Sequence, residues 1–236
     1  MSQQSVGRAC QAPRSDGEPD VIYAPHGLAE GVSVLSSDPL FARILGDAGL
    51  PRFRRRQNGF GTLLHIILEQ QVSIDAAAKM YHRLTGLCCP LAPAPFLKLD
   101  DATLRSCGFS RQKMGYARDL AVALQQGSFD FERLAAADDE TALAGLLAIR
   151  GIGRWSAEIY LLFALGRPDV WPAADLGLQL AVAEQLGLGF RPTEVELRRR
   201  GEEWRPWRSV AACLFWQSYL HARGRVAPHL PPELYA

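Results

Sequence analysis

The 236-residue chain is 48% hydrophobic, which is enough for one large domain or two small lobes with a buried core. Its formal net charge at pH 7 is only +1, so overall charge does not indicate nucleic-acid binding, for which a pI above about 9 is typical. No apolar stretch reaches the roughly 18 residues of a membrane span and the N-terminus lacks the apolar run of a signal peptide, so we predict a cytoplasmic protein without membrane contact.

Helical patterns dominate the chain. Residues 1–20 are polar and rich in Gly, Pro, Ser and Gln, which predicts a mobile tail, and we expect residues 21–236 to form the folded domain. Segment 20–35 is ambiguous between a short strand and an extended arm. Beyond it, helical spacing of apolar residues covers the segments 37–49, 58–73, 74–86, 110–127, 138–149, 154–166, 176–187 and 207–224. We therefore predict an all-α protein of about eight to eleven helices.

Capping signals support these helices. Ser37 or Asp38 lies at the first N-terminus, and Ser110 begins a later helix. Thr193 and Glu196 have the spacing of a capping box, which adds a further helix start.

Arginines are clustered although the net charge is small. They concentrate in segments 52–56 and 197–208 and at Arg150 and Arg154, while acidic residues concentrate at 138–140. Taken alone, each cluster is more typical of a solvated helix face than of a binding patch.

Two glycines, Gly151 and Gly153, interrupt a helical pattern and predict a turn. Glycine costs about 1 kcal/mol relative to alanine inside a helix, but without a Cβ atom Gly151 and Gly153 can adopt positive φ and let another backbone approach closely. The N–H groups opening the next helix would form an anion site. With Leu146, Ile149 and Ala157 the spacing fits a helix-hairpin-helix that binds a DNA phosphate without reading bases. The alternative is a tight turn with a C-cap glycine.

Asp175 follows Pro172 and directly precedes an apolar helix. Local sequence alone favours an ordinary N-cap at this position. Four motifs in order give it a second interpretation: ILEQQVSIDAAAKMYHRL (67–84), GFSRQKMGYARDLA (108–121), LLAIRGIGRWSAEIY followed by PAADLGL, and WRPWRSVAACLFW (204–216).

Together these motifs resemble the DNA-3-methyladenine glycosylase II (AlkA-type) family of helix-hairpin-helix DNA glycosylases, over residues 35–222. The resemblance implies a two-lobed helical fold with the active-site cleft between the lobes. Longer family members carry an N-terminal β-rich domain, and we expect this chain to be a short form lacking most of it.

The resemblance implies that Asp175 is the catalytic carboxylate, which stabilises the sugar cation formed when an N-glycosidic bond breaks and can orient the attacking water. It further implies that the backbone of Gly151, Ile152, Gly153 and Arg154 binds DNA phosphate. Lyase-competent relatives place a Schiff-base lysine two residues after the second glycine, where this chain has Trp155, so we expect no lyase activity.

We expect no cofactor and no metal. Of five cysteines, two are adjacent, none forms a CxxC pair, and only Cys213 follows Asp175, whereas relatives with an iron–sulfur cluster need four closely spaced cysteines there. A monovalent cation could bridge hairpin carbonyls and phosphate.

Trp155 and Trp216 match the pocket of the family that receives the flipped base. Flipping costs a few kcal/mol, and an aromatic face attracts a cationic alkylpurine by about 0.5 to 2 kcal/mol. Core packing is the alternative for both. For Trp204 and Trp207 the two interpretations stay open.

Gln71 stands where the family inserts a side chain into the gap left by the flipped nucleotide, although members often carry leucine there. Ile159 replaces an aromatic pocket residue of some relatives, which alters the expected substrate range. Arg208 and Ser209 are either structural or phosphate-facing.

The sequence thus predicts a monomeric, monofunctional glycosylase that excises 3-methyladenine and 7-methylguanine from alkylated duplex DNA in base excision repair. Two alternatives remain open: an enzyme preferring hypoxanthine or N1-methyladenine, and a catalytically silent helix-hairpin-helix DNA-binding module.

Overall fold

A computed structural model describes residues 23–236, so the predicted tail at 1–20 lies outside the described residues. Within this range the chain forms thirteen α-helices: α1 Leu28–Leu35, α2 Pro39–Ala48, α3 Phe60–Glu69, α4 Ile74–Leu87, α5 Pro93–Leu97, α6 Asp101–Ser106, α7 Arg111–Gln125, α8 Phe131–Ala136, α9 Asp139–Leu147, α10 Arg154–Phe163, α11 Leu176–Gln185, α12 Glu194–Gly201 and α13 Arg208–His221. Pairing of extended backbone over residues 23–236 is limited to two isolated bridges. The all-α prediction is confirmed.

The helix count exceeds the predicted eight to eleven because short helices escaped the pattern analysis. α5, α6 and α8 have only 5 or 6 residues, too few turns for an apolar period to register. Of segment 20–35, ambiguous in the sequence, the structure describes residues 23–35, where the bridge residue Tyr23 is followed by α1. The helix predicted at 58–73 is also too long, since α3 ends at Glu69 and a turn follows.

The predicted capping residues are confirmed. The Asp38 side chain accepts from Leu40 N, and Ser110 accepts from Lys113 N. Thr193 and Glu196 form the reciprocal capping box of α12. These interactions span two or three residues, which is why the sequence alone revealed them.

The helices form two groups, as the two-lobed prediction requires. In the first group α3 packs against α4, α7 and α10, and α10 also packs against α9. In the second group α13 packs against α1, α2 and α11. Each group therefore has one central helix.

The central helix of the first group is anchored by a buried tyrosine. The Tyr160 hydroxyl on α10 donates to Asn58 Oδ1 at 2.6 Å and accepts from Gly59 N at 2.8 Å, at the start of α3. Burial raises the pKa of Tyr160, so the hydroxyl remains protonated. These bonds fix the start of α3 to α10, against which it packs.

An aromatic cluster fills the second group. The Trp204 ring lies 5.8 Å from Phe41, 4.9 Å from Trp171 and 5.1 Å from Phe215 between centroids. A Cβ at Gly27 would lie 2.8 Å from the Trp207 ring, which therefore closes the core near α1. Core packing is the correct interpretation for Trp204 and Trp207.

Arg208 and Ser209 are structural, and the phosphate-facing alternative is wrong. Arg208 Nε donates to Asp169 Oδ1 at 2.8 Å, and its Nη2 donates to the Asp169 carbonyl at 2.6 Å. Ser209 Oγ donates to the Arg167 carbonyl and accepts from Val170 N. These bonds fasten the loop before Asp175 to the start of α13.

Over residues 23–236, no helix has the length and apolar character needed to cross a membrane.

Candidate active site and nucleic-acid interface

The carboxylate of Asp175 receives three hydrogen bonds. Oδ1 accepts from Leu178 N at 2.8 Å, the N-cap bond of α11, and from Trp216 Nε1 at 2.9 Å. Oδ2 accepts from Trp155 Nε1 at 2.9 Å. Asp175 is therefore the N-cap that local sequence favours, and it is also fixed by indoles from α10 and α13.

These three side chains line one cavity of about 920 Å³, a volume within the range of small-molecule sites. It lies between the two helix groups, where the family resemblance placed the cleft. The Trp216 ring stacks on Phe163, with 5.8 Å between the ring centroids and an interplanar angle of 24°. The Phe163 ring therefore covers part of one face of the Trp216 indole. Ile159 also lines the cavity and is buried, as its predicted position in the pocket requires.

The two tryptophans thus meet at the predicted pocket, but their N–H groups have a use that sequence reasoning missed. Trp155 lies 20 residues and Trp216 lies 41 residues from Asp175 along the chain. Nothing in the sequence indicates that both indoles point their donors at one carboxylate.

One wall of the cavity comes from the segment that follows α13. Residues 224–230 line it together with Tyr235, and Tyr235 Oη accepts from Leu230 N at 2.7 Å. Arg54 stacks over the Tyr235 ring at 3.9 Å. No sequence motif marks this wall.

The hairpin glycines differ from each other. Gly151 has φ +88°, and a Cβ there would lie 2.1 Å from Tyr116 Cγ, so the fold itself requires glycine. Gly153 has φ −84° and an extended conformation, so of the two hairpin glycines only Gly151 uses the positive φ that glycine permits. A Cβ at Gly153 would meet nothing within 4 Å. No contact inside the described chain explains glycine at 153, whereas a partner approaching the backbone would.

The other hairpin residues differ in how far they are exposed to solvent. The Ile152 side chain is buried, and its backbone N–H donates to Ile149 O at 3.0 Å. Gly153 is the N-cap of α10 and supplies no side-chain cap, which leaves the first-turn N–H groups to an external acceptor. Arg154 Nε donates to Glu158 Oε1 at 2.9 Å, and about half of the Arg154 side chain is exposed.

Gln71 is the one non-glycine residue in 23–236 with positive φ, at +58°. A glutamine in this left-handed region is strained by about 1–3 kcal/mol, and such strain is concentrated at functional positions. The side chain is exposed beside the hairpin, in an open depression also lined by Gln112, Tyr116 and Gly151.

Two residues that the sequence analysis passed over hold this turn in place. Gln70 Nε2 donates to Gly151 O at 2.9 Å and to Ser156 Oγ at 3.0 Å, which ties the turn to the hairpin. Lys113 Nζ donates to Leu68 O at 2.7 Å at the end of α3. Gln70 lies in the 67–84 motif and Lys113 in the 108–121 motif, so the motifs marked the region of these residues but not their role.

Several of the clustered arginines form ion pairs. Arg150 Nη1 lies 2.9 Å from Asp119 Oδ2, and Arg198 Nη1 lies 2.9 Å from Glu158 Oε1. Arg56, however, is buried at the cavity with Glu69. Sequence reasoning did not separate this pair from the surface clusters.

Comparison with known proteins identifies the arrangement. Residues 64–206 match the model of the HhH-GPD superfamily base excision DNA repair protein. A putative DNA-3-methyladenine glycosylase of Bacillus subtilis is 30% identical over 167 residues, covering 67% of this chain and 58% of that protein. A probable bifunctional transcriptional activator/DNA repair enzyme AlkA of Mycobacterium tuberculosis is 30% identical over 219 residues, covering 87% of this chain and 41% of that protein. The chain therefore matches about half the length of these two relatives.

A solved structure shares the fold. The 3-methyladenine DNA glycosylase of Schizosaccharomyces pombe in complex with abasic DNA superimposes with a TM-score of 0.75 and 27% identity. The match covers 80% of this chain and 95% of that chain.

Proposed function

Because the chain belongs to the HhH-GPD superfamily of base excision DNA repair proteins, and within it to the AlkA-type glycosylase family, we propose that it is a monofunctional DNA glycosylase. It flips N-alkylated purines, chiefly 3-methyladenine and 7-methylguanine, out of duplex DNA and excises them, leaving an abasic site. The observation that carries the proposal is Asp175, held by three donors in a cavity between the helix groups.

Asp175 acts as the carboxylate of this reaction. Breaking the N-glycosidic bond places positive charge on the sugar, and a fixed carboxylate stabilises that charge without reorganising. Among the described residues Oδ2 accepts a hydrogen bond only from Trp155, so a lone pair remains for the sugar cation or for the attacking water. Alkylation makes the base a cation that leaves as a neutral molecule, so no general acid is needed.

Two features support hydrolysis without a lyase step. A lyase needs an amine within reach of the sugar, and none of the described residues lining the cavity is a lysine. Lys113 instead donates to Leu68 O outside the cavity. We therefore expect no covalent adduct to be trapped by borohydride on alkylated DNA.

DNA is held at the open side of the first helix group. The first-turn N–H groups of α10 bind a phosphate. The phosphate can approach the Gly153 backbone closely because glycine has no Cβ and no other atom lies within 4 Å of where one would be. Gln71 fills the gap left by the flipped nucleotide, and the glutamine beside it fixes the turn to the hairpin. The protein acts as a monomer because one chain supplies all of these groups.

The decisive experiment measures release of 3-methyladenine and 7-methylguanine from alkylated duplex DNA by the native protein and by Asp175→Asn. We expect release by the native protein and a loss of about 10²–10³-fold in the variant, with duplex binding retained. Release of neither base by the native protein, with duplex binding intact, would refute the lesion assignment and favour either hypoxanthine or N1-methyladenine excision or a silent DNA-binding module.

A further inference from the structure

Arg56, His65 and Glu69 form a buried ion cluster at the wall of the cavity, and two of them, Arg56 and Glu69, line it. Arg56 Nη2 is 3.1 Å and His65 Nδ1 is 3.1 Å from Glu69 Oε1, and Arg56 Nη1 donates to Glu69 Oε2 at 3.3 Å. All three side chains are at most 8% exposed. Burial raises the pKa of Glu69, but Arg56 and His65 outweigh it, so the pKa lies below its usual value and the group is a carboxylate.

The cluster is part of the cavity that contains Asp175. Arg56 and Glu69 both line it, and the Arg56 guanidinium carbon lies 5.3 Å from the centroid of Phe163, the ring that stacks on Trp216. Of the other charged residues of the lining, Asp75 and Arg225 are exposed, and solvent therefore screens them, whereas Arg54 is half-buried as Asp175 is.

Two charged residues of the lining, Arg56 and Glu69, are buried, and two more, Asp175 and Arg54, are half-buried. With Glu69 present, Arg56 is neutralised by its partner and does not oppose the negative charge of Asp175. Without Glu69, the Arg56 cation would cancel Asp175 and repel a cationic base at close range in a poorly screened site.

We propose that Glu69 is a specificity-determining residue that makes the cavity accept a cationic base by neutralising Arg56. The inference rests on the proposed function and names its selectivity. Excision of an alkylated base moves positive charge from the base to the sugar, whereas excision of a neutral base releases an anion. An uncompensated Arg56 opposes the first reaction and assists the second, so the two substrate classes respond to Glu69 in opposite directions.

The test compares release of 7-methylguanine, a cationic base, and hypoxanthine, a neutral base, from duplexes of the same sequence. We expect Glu69→Gln to lower the ratio of the 7-methylguanine release rate to the hypoxanthine release rate by about tenfold or more. The reason is that the variant removes the negative charge that compensates the Arg56 cation, in a poorly screened site. Arg56→Met leaves Glu69 uncompensated and should raise the ratio. The double variant Arg56→Met with Glu69→Gln should return it to about the native value, because no buried net charge is added.

Glu158→Gln is the matched control. Glu158 is also buried and paired with two arginines, Arg154 and Arg198, but it does not line the cavity. If the Glu69 ion pair were merely structural, Glu69→Gln would lower the free energy of unfolding, as Glu158→Gln should, and would leave the rate ratio unchanged. That result for Glu69→Gln, together with an unchanged ratio for Arg56→Met, would overturn the proposal.

A binding measurement separates this inference from the proposed function. Duplexes carrying a cationic pyrrolidine abasic analogue or a neutral tetrahydrofuran analogue bind without excision. We expect the native protein to prefer the cationic analogue and Glu69→Gln to lose most of that preference. If the native protein excised neither base but this preference behaved as expected, the proposed function would fail and the role of Glu69 would stand. An equal preference in native and Glu69→Gln protein would overturn that role.

Discussion

The carboxylate of Asp175 accepts three hydrogen bonds from within the chain, whereas the backbone at Gly153 faces open space and Gln71 is held in the left-handed region. At the cavity, donors from both helix groups bond to one carboxylate. Along the hairpin and the turn beside it, strain and unoccupied backbone donors remain. Under the proposed function, this difference means that the carboxylate site is preorganised by the fold, while the proposed DNA surface is completed only by its ligand.

The sharpest test of this contrast is a pair of identical substitutions two residues apart. Gly151→Ala should lower the free energy of unfolding by about 3 kcal/mol, because φ is +88° and the new Cβ would overlap the Tyr116 ring. Gly153→Ala should change it by less than about 0.5 kcal/mol, since its Cβ enters open space. Urea denaturation of the two variants measures both. Equal destabilisation would mean that Gly153 also has an intramolecular role.

The next largest effect concerns the indole donors. Trp155→Phe removes the hydrogen bond to Asp175 Oδ2, and bonds to charged groups are worth about 1.5–3 kcal/mol. We expect 7-methylguanine release to slow by about 10- to 100-fold, with the cavity still lined by an aromatic ring. Single-turnover kinetics at saturating enzyme measure the step.

A matched tryptophan provides the control for that variant. Trp171 donates to Leu197 O at 2.9 Å inside the aromatic cluster and does not line the cavity. Trp171→Phe should lower the free energy of unfolding without slowing release by the folded protein. If both variants slowed release equally, packing rather than the bond to Asp175 would explain the effect of Trp155.

The open side of the molecule predicts a smaller change, in DNA affinity. Gly153→Val should weaken binding by about tenfold for every duplex sequence, because a phosphate contact carries no base information. Titration of two unrelated duplexes measures this. Gly46→Val, at another glycine whose Cβ would meet nothing within 4 Å, lies on α2 and should leave affinity unchanged. Loss confined to one duplex sequence would contradict the phosphate assignment.

The sequence could predict interactions between residues that are close together in the chain, but not those between residues far apart. The caps at Asp38, Ser110 and Thr193 are local bonds, and the pattern revealed them. The resemblance placed Asp175 in a cleft, but its indole donors are 20 and 41 residues away. Such convergence depends on how α10 and α13 pack, which no local pattern encodes.

Burial and backbone conformation were equally hidden. Arg56 belongs to an arginine-rich segment typical of a solvated face, yet it is 7% exposed and paired with Glu69. The two hairpin glycines look equivalent in sequence, but only Gly151 has positive φ. A one-letter pattern states that glycine is permitted and not whether the chain or a ligand requires it.

The smallest expected effect separates the backbone of Gln71 from its side chain. Gln71→Gly should raise the free energy of unfolding by about 0.5–1 kcal/mol, because glycine adopts φ +58° without strain. The same variant should slow excision, since nothing then fills the gap left by the flipped base. Gln71→Asn retains an amide on a residue that tolerates this conformation and should preserve more of the activity. If Gln71→Gly were stabilised and fully active, the strain would serve only the turn, and another residue would have to hold the DNA open.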